Sequence, residues 1–329
     1  MATLYVTEQG AKLVRESRRL LVVNNDVVIF DIPIIKLRRV LIFGYAQITT
    51  QALELLLNEG IPTIFLSMSG RLKGTLEPIR SKNIPLRIAQ YGKSRDSQFC
   101  LNIAKVIIQG KIRNQIRLIQ RFAHNHPDID FTIIQRDLKG IIHQIPNKTT
   151  IGGLLGLEGR ATANYFEALR LVLKRSDFQK RQRRPPPDPV NSLLSFGYTL
   201  IVQEYLSAVV AVGMDPYVGF LHQLSYGRPS LALDLCEGLR HPIVDMMVAD
   251  LINRSIIKDE DFTGEEGGFI LKPEARKKFF TRYERRLTVL FKHPQTGQKT
   301  NVRQVIYEQA IRMSRAIMSE TDYEPFFIG

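Results

Sequence analysis

The chain has 329 residues, 44% of them hydrophobic and 24% charged, which excludes both a disordered chain and a uniformly apolar membrane protein and leaves room for two ordinary domains. Lysine and arginine number 46 against 32 aspartates and glutamates, and the resulting net charge of +14 points to a polyanionic partner, nucleic acid first. Only two cysteines occur, Cys100 and Cys236, each in an apolar helical pattern, which argues against a disulfide framework and a thiolate zinc site and for a reducing compartment. Residues 1–16 lack the basic and apolar regions of a secretory signal, and no stretch reaches the ~18 apolar residues of a membrane span, so the expected location is cytoplasmic.

Up to about Tyr91 the chain alternates with period two or runs β-branched between turn residues, a pattern of strands. Residues 20–23 and 27–32 flank Asn24-Asn25-Asp26, whose residue types tolerate the left-handed backbone of a hairpin turn. Residues 37–43 continue the strand series, and residues 50–60 read as a short helix with a threonine N-cap at its start and Gly60 as its stop. Residues 64–68 and 72–76 form two more strands across Ser69-Gly70, with Pro62, Pro78 and Pro85 cutting the region into pieces.

From Ser94 the period becomes helical: Leu101, Ala104, Ile108, Ile112, Ile116 and Ile119 recur at steps of three and four. Lys105, Lys111, Arg113, Arg117 and Arg121 are assigned to the opposite face, and each taken singly reads as solvation of the helix. The expected fold is α+β, a small β-rich N-terminal domain over residues 1–93 followed by a larger all-helical domain over residues 94–329.

Among candidate motifs, His124-Asn125-His126 ends a long helix before Pro127 and is explained by dipole and capping interactions there. Gly156 and Gly159 lie inside a helix that starts near Gly152, and an interior glycine costs about 1 kcal/mol relative to alanine, so a close approach of the backbone is expected. The spacing is not that of a dinucleotide fingerprint. Asp234 and Glu237, three apart, share one helix face beside the stripe Leu231, Leu235 and Leu239. Carboxylates crowded beside a core need protonation, a cation or a metal, and Arg240 is one available partner. With a histidine they suit Mg²⁺ or Mn²⁺ better than a thiolate-loving ion.

Two further stretches concentrate basic charge. Residues 174–191 carry six basic residues and one acid ahead of three consecutive prolines, the composition of a surface loop between helices. Its Lys174, Arg175, Lys180, Arg181, Arg183 and Arg184 are expected at the phosphate backbone of a polyanionic partner. Lys272, Arg276, Lys277, Lys278, Arg282, Arg285 and Arg286, on a helix opening with Pro273, form a second candidate surface.

Leu157-Glu158-Gly159 with Ala163-Asn164-Tyr165-Phe166, the run from Asn191 through Tyr198 to Leu200, Gly219-Phe220-Leu221-His222, and the run from Ser230 through Asp234 to Glu237 occur in an order that resembles the CRISPR-associated spacer-acquisition integrase family. The resemblance covers essentially the whole chain. It implies a prokaryotic cytoplasmic enzyme, a homodimer joined mainly through the N-terminal domain, a small ferredoxin-like companion protein, and DNA partners in the form of a prespacer and the CRISPR repeat. It implies a divalent ion held by Glu158, His222 and Glu237, with Asp234 either behind them or an alternate ligand. Tyr165 and Asn191 in the matched segments, together with Arg228, Lys180, Arg181, Arg183, Arg184, Arg282 and Arg285, are the expected DNA contacts. The implied reaction joins the 3′-hydroxyl of a short DNA fragment to repeat DNA. The alternatives are a structure-selective metal-dependent endonuclease and a DNA-binding scaffold without catalysis, its acids paired with Arg160, Arg228 or Arg240.

Overall fold

The computed structural model describes residues 2–68, 70–76, 83–175, 177–183, 185–222, 225–265 and 268–328. The chain divides into two units, Met1–Arg80 and Ser81–Gly329.

The first unit is built from short β-branched strands because their alternating faces can be buried between layers. In chain order it contains β1 (Ala2–Val6), β2 (Lys12–Glu16), β3 (Arg19–Asn24), β4 (Val27–Pro33), β5 (Leu37–Phe43), β6 (Gln47–Ile48), α1 (Thr50–Asn58), β7 (Thr63–Leu66) and β8 (Leu72–Leu76). One sheet has the order β1-β5-β7-β8 and the other β4-β3-β2-β6. Leu4, Val6, Val40 and Ile42 of the first meet Leu13, Leu20 and Val22 of the second and Leu55 and Leu56 of α1 in one apolar cluster. The hairpin between β3 and β4 forms where expected, with Asn25 and Asp26 at φ of 48° and 61°, the left-handed pair that matches strand twist. The cap of α1 is Thr49, whose hydroxyl accepts from the Ala52 N–H.

The boundary falls earlier than the sequence pattern suggests. Residues 84–95 are not a strand but α2 (Ile84–Arg95), with Pro85 in its first turn and Asn83 capping the Leu86 N–H at 3.3 Å. Buried Gln90 fixes the helix to the second unit: its amide donates to the carbonyls of Asp215 and Val218, both at 2.8 Å, and accepts from the Asp215 N–H.

The second unit continues with α3 (Ser97–Asn125), α4 (Thr132–Gln144), α5 (Ile151–Val172), α6 (Pro189–Val212), α7 (Ser230–Arg240) and α8 (Met246–Asn253). It is not wholly helical, since β9 (Phe262–Glu265) pairs with β10 (Gly268–Leu271), and β11 (Phe291–Lys292) with β12 (Lys299–Thr300), on either side of α9 (Pro273–Thr288) and ahead of α10 (Val302–Ile317). By length and composition alone α6 could cross a membrane, contrary to the sequence expectation, but 67% of its most apolar window is buried within the protein. Its buried Glu204 accepts from Arg303 of α10, which also bonds Glu284 of α9, so a shared guanidinium ties the three helices together. Between α7 and α8, residues His241–Asp245 widen into a π-turn. Pro242 has no N–H to give the Gly238 carbonyl one turn back, and that carbonyl instead accepts from Asn114 Nδ2 of α3 at 2.7 Å.

Candidate active site

Asp234 is wholly buried on α7 and organises the segment that precedes the helix. Its Oδ2 accepts the N–H groups of Phe220 and Leu221, and its Oδ1 accepts the N–H of His222 at 2.9 Å and the ring Nδ1 of the same residue at 2.6 Å. Gly219 has no room for a side chain here: a Cβ would lie 2.7 Å from Asp234 Oδ2 and 2.8 Å from the Ser230 carbonyl carbon. With Nδ1–H committed to the carboxylate, the hydrogen-bond pattern assigns the free lone pair of His222 to Nε2. That atom stands 3.9 Å from Glu237 Oε1.

Glu237 lies one turn beyond Asp234. Its Oε1 meets Arg240 Nη2 at 2.9 Å and its Oε2 meets Lys111 Nζ at 2.6 Å. Lys111, from α3, also contacts Glu158 Oε1, to which the Thr162 hydroxyl donates at 2.8 Å. Lys111 thus links Glu158 to Glu237, His222 lies beside Glu237, and Asp234 stands behind His222. Burial alone would push the Glu237 carboxyl up, but Arg240 and Lys111 outweigh it and hold the group well below the ordinary carboxylate range. Glu158 is lowered in the same way, with burial opposed mainly by Lys111.

Lys111 is the functional residue that the sequence reading misplaces. Far from solvating α3, its side chain is only 2% exposed. Among the described residues no three His, Cys, Asp or Glu side chains stand in metal-holding geometry, because the two cations are interleaved with the acids. The donor types nonetheless fit a hard divalent ion: two carboxylates that stay ionised, and an imidazole Nε2 fixed from behind by a carboxylate.

The cluster opens into a cleft of ≈ 670 Å³, whose lining includes Lys111, Glu158, Arg240, Arg170, Lys180, Arg181 and Arg183. The expected close approach at Gly156 and Gly159 does not occur: nothing lies within 4 Å of a Cβ on either, and Gly159 borders this space. The basic loop reaches the cleft because it is anchored at both ends. Phe178 is fully buried and near Phe166, while the Pro186 carbonyl accepts from the Phe269 N–H.

Two expected DNA contacts are corrected. Tyr165 is 0% exposed, its ring packed 4.4 Å from that of His241, so no ligand reaches it. Asn191 is equally buried and spends its amide on the loop, accepting from Arg181 Nη1 and the Gln182 N–H and donating to the Lys180 carbonyl and Asp188. Both belong to the scaffold of the cleft. Arg184 lies outside the described residues. Arg228 is exposed on the segment between His222 and α7. The cluster on α9 does not form one surface: Arg276 is buried on the Leu271 carbonyl, Lys278 pairs with Asp261, Arg282 lies 3.6 Å from Asp250, and Arg285 is exposed. None of the α9 side chains borders the cleft.

Tyr198 of α6, which also lines the cleft, organises its cations. Arg181 and Arg240 stack on its ring, 5.3 Å and 5.2 Å from the centroid, and its hydroxyl donates to Asp245 at 2.6 Å.

A β-rich unit is followed by a mainly helical unit that carries a histidine–carboxylate cluster, of which Glu158 and Lys111 line a cleft rich in arginine and lysine. The sequence matches the family model described as CRISPR associated protein Cas1 over residues 4–285. It is 35% identical over 332 residues to the CRISPR-associated endonuclease Cas1 3 of Thermus thermophilus, covering 100% of this chain and 98% of that protein, and 34% identical over 335 residues to the endonuclease Cas1 1 of Chlorobaculum tepidum, at 99% and 98% coverage. Among solved structures, a casposase bound to integration product gives a TM-score of 0.88 at 24% identity, covering 99% of this chain and 93% of that one. The Cas6-RT-Cas1–Cas2 complex gives 0.84 at 25% identity, covering 99% of this chain and 36% of that one. The chain belongs to the Cas1 family.

Proposed function

We propose that this chain is the metal-dependent DNA integrase of CRISPR adaptation, acting as a homodimer with a small ferredoxin-like companion. The observation that carries the reading is that Glu158 and Glu237, far apart in sequence, share Lys111, that His222 Nε2 lies 3.9 Å from Glu237, and that Glu158 and Lys111 line a cleft also bordered by Lys180, Arg181 and Arg183. The names of the relatives as Cas1 endonucleases, and the presence of Cas2 in the complex of a neighbour of the same fold, support the class of activity and the partner.

In the reaction, the 3′-hydroxyl oxygen of a prespacer forms a bond to a repeat phosphorus, the phosphodiester bond to a repeat 3′-oxygen breaks, and the proton lost by the attacking hydroxyl is balanced by one gained at the leaving oxygen. Glu158, Glu237 and His222 Nε2 would hold Mg²⁺ or Mn²⁺, which supplies Lewis-acid stabilisation of the charge on the transferring phosphate. Asp234 keeps the imidazole in the tautomer that presents Nε2, Arg240 holds Glu237 from the side away from Lys111, and the basic loop binds backbone phosphate. With water in place of the 3′-hydroxyl the same site is an endonuclease.

The neutralisation of Glu158 and Glu237 by Lys111 and Arg240 also suits a scaffold that binds DNA without chemistry. A strand-transfer assay with labelled prespacer and repeat DNA in Mg²⁺, Mn²⁺ and EDTA separates the readings. We expect joined product only with metal, and its loss in Glu158→Ala and His222→Ala while DNA affinity stays within about twofold. Product in EDTA, or wild-type joining by either variant, would falsify the assignment.

A further inference from the structure

We infer that Lys111 is an internal counter-cation that competes with the divalent ion for the oxygens of Glu158 and Glu237, so that metal loading is coupled to the arrival of a nucleic-acid phosphate in the cleft. The inference rests on the metal-site reading above.

The argument begins with charge. Two carboxylates, Glu158 and Glu237, face two cations, Lys111 and Arg240, so the four side chains sum to zero without any ion. A divalent cation added to those four side chains leaves two positive charges in excess, which the single Asp234 carboxylate behind His222 offsets only in part, among side chains that are mostly buried, where repulsion is weakly screened. Lys111 Nζ touches both of the carboxylates that are expected to bind the ion. Ion and ammonium therefore contend for the same oxygens, and one of the resident cations must yield.

Lys111, not Arg240, is built to move. Arg240 is held by two partners, Glu237 Oε1 at 2.9 Å and the Tyr198 ring 5.2 Å away. Its planar guanidinium is fixed by both contacts. Lys111 has a point charge on a flexible four-carbon stem and borders the cleft, so its ammonium can leave the carboxylates toward that open space. What receives it there is an anion. A backbone phosphate among Arg170, Lys180 and Arg181 supplies that charge, relieves the excess created by the ion, and pairs with the released ammonium. Metal then favours phosphate and phosphate favours metal by the same factor, as linkage requires. In the absence of DNA the ion pairs of Lys111 and Arg240 stay assembled and the site sparingly loaded.

Calorimetric titration of Mn²⁺ into the full chain, with and without a DNA fragment ending in a 3′-deoxynucleotide, tests this without any reaction. In wild type the fragment is expected to tighten Mn²⁺ binding at least about fivefold, with Mn²⁺ tightening the fragment equally, at the lower end of typical site-to-site coupling. Lys111→Met, which keeps the stem and removes the charge, should bind Mn²⁺ without DNA about tenfold or more tightly than wild type and lose most of the coupling. If this variant is too unstable to titrate, its thermal unfolding supplies the measurement. Mn²⁺ should then raise its midpoint more than that of wild type, and the charge-balanced Lys111→Met/Glu158→Gln chain should recover stability in EDTA. Wild-type affinity and coupling in Lys111→Met, or a midpoint shift no larger than that of wild type, overturns the inference while leaving the metal site standing. Failure of wild type to bind Mn²⁺ in either condition overturns the metal site and the inference with it.

Discussion

Asp234 shows how much a single buried carboxylate does. Its two oxygens accept three backbone N–H groups and one imidazole N–H, and the segment bearing His222 has its shape because those four donors need it. Asp234→Asn replaces one of those oxygens by an amino group facing donors. We expect a loss of about 1–3 kcal/mol for each donor left without a partner, read as a lower urea midpoint, with less than that pointing to relaxation of the loop. His241 makes a different prediction. Burial is the main reason its imidazole is pushed below the ordinary value, with Asp245 only partly opposing the shift. The ring gives Nδ1–H to Asp245 Oδ2 at 2.7 Å and faces the Gln115 amide nitrogen with Nε2 at 3.2 Å, so it folds as neutral imidazole. The unfolded chain takes up a proton near pH 6.5, which the folded ring resists. Stability from this group is therefore present above that pH and lost as pH falls below it. Urea midpoints between pH 7.5 and 5.5, a window set by the ordinary value, should fall less steeply in His241→Asn than in wild type; parallel slopes would assign the acid sensitivity elsewhere. Lys111, by contrast, was legible and misread. It lies seven residues after Ala104 and three after Ile108, on the buried side of α3, and a lysine at such a position demands a carboxylate. The sequence carries that demand but not the identity of Glu158 and Glu237 as its answer, because these lie 47 and 126 residues away.

At the scale of elements, local signals locate most helices and strands, and the failures have specific causes. Pro85 looks like strand punctuation, yet a proline in a first helical turn with Asn83 before it is equally a helix start, and the buried partners of Gln90 decide the matter. The π-turn after α7 depends on Asn114 of α3 taking the carbonyl that Pro242 cannot serve, a pairing invisible in local sequence. The loop between α5 and α6 reads correctly as basic and proline-limited, but its residues divide by role. Arg181 is committed to Asn191 Oδ1, the Ser195 hydroxyl and the Tyr198 ring, whereas Lys180 and Arg183 are exposed at the rim of the cleft. Replacing Lys180 and Arg183 by alanine should leave the fold intact and reduce the slope of log affinity against log salt by roughly 0.9 per lost contact on duplex, or ~0.7 on single-stranded DNA. Sequence preference should not change. A double variant with the wild-type slope would remove the rim of this loop from the DNA path.

For the molecule as a whole, the positive charge that suits a DNA partner also repels a second copy of the chain, so a homodimer needs an apolar surface strong enough to prevail. The first unit offers one on β4, the edge strand of its sheet. Val27, Val28, Ile29 and Phe30 are consecutive and exposed by 61%, 52%, 46% and 47%. A solvent-facing edge strand is ordinarily guarded by charge, proline or a bulge, because unpaired backbone groups beside apolar side chains recruit other strands. The pairing of β4 with β3 skips Ile29, a bulge, and Asp31 and Pro33 close the strand, yet four adjacent exposed apolar residues remain, and a covering partner explains them. A second copy placing its own β4 there would make the contact isologous, the common solution for identical subunits, and would join two clefts in one particle able to act at both ends of a DNA fragment. Light scattering across a hundredfold dilution, from roughly micromolar protein upward, should therefore report two chains for wild type. Val28→Lys/Phe30→Lys places charge on both faces of β4 at positions that contribute little to the core, and should report one chain with an unchanged unfolding midpoint. A wild-type monomer throughout the series, or a doubly charged variant that still dimerises, would move the subunit contact away from this edge.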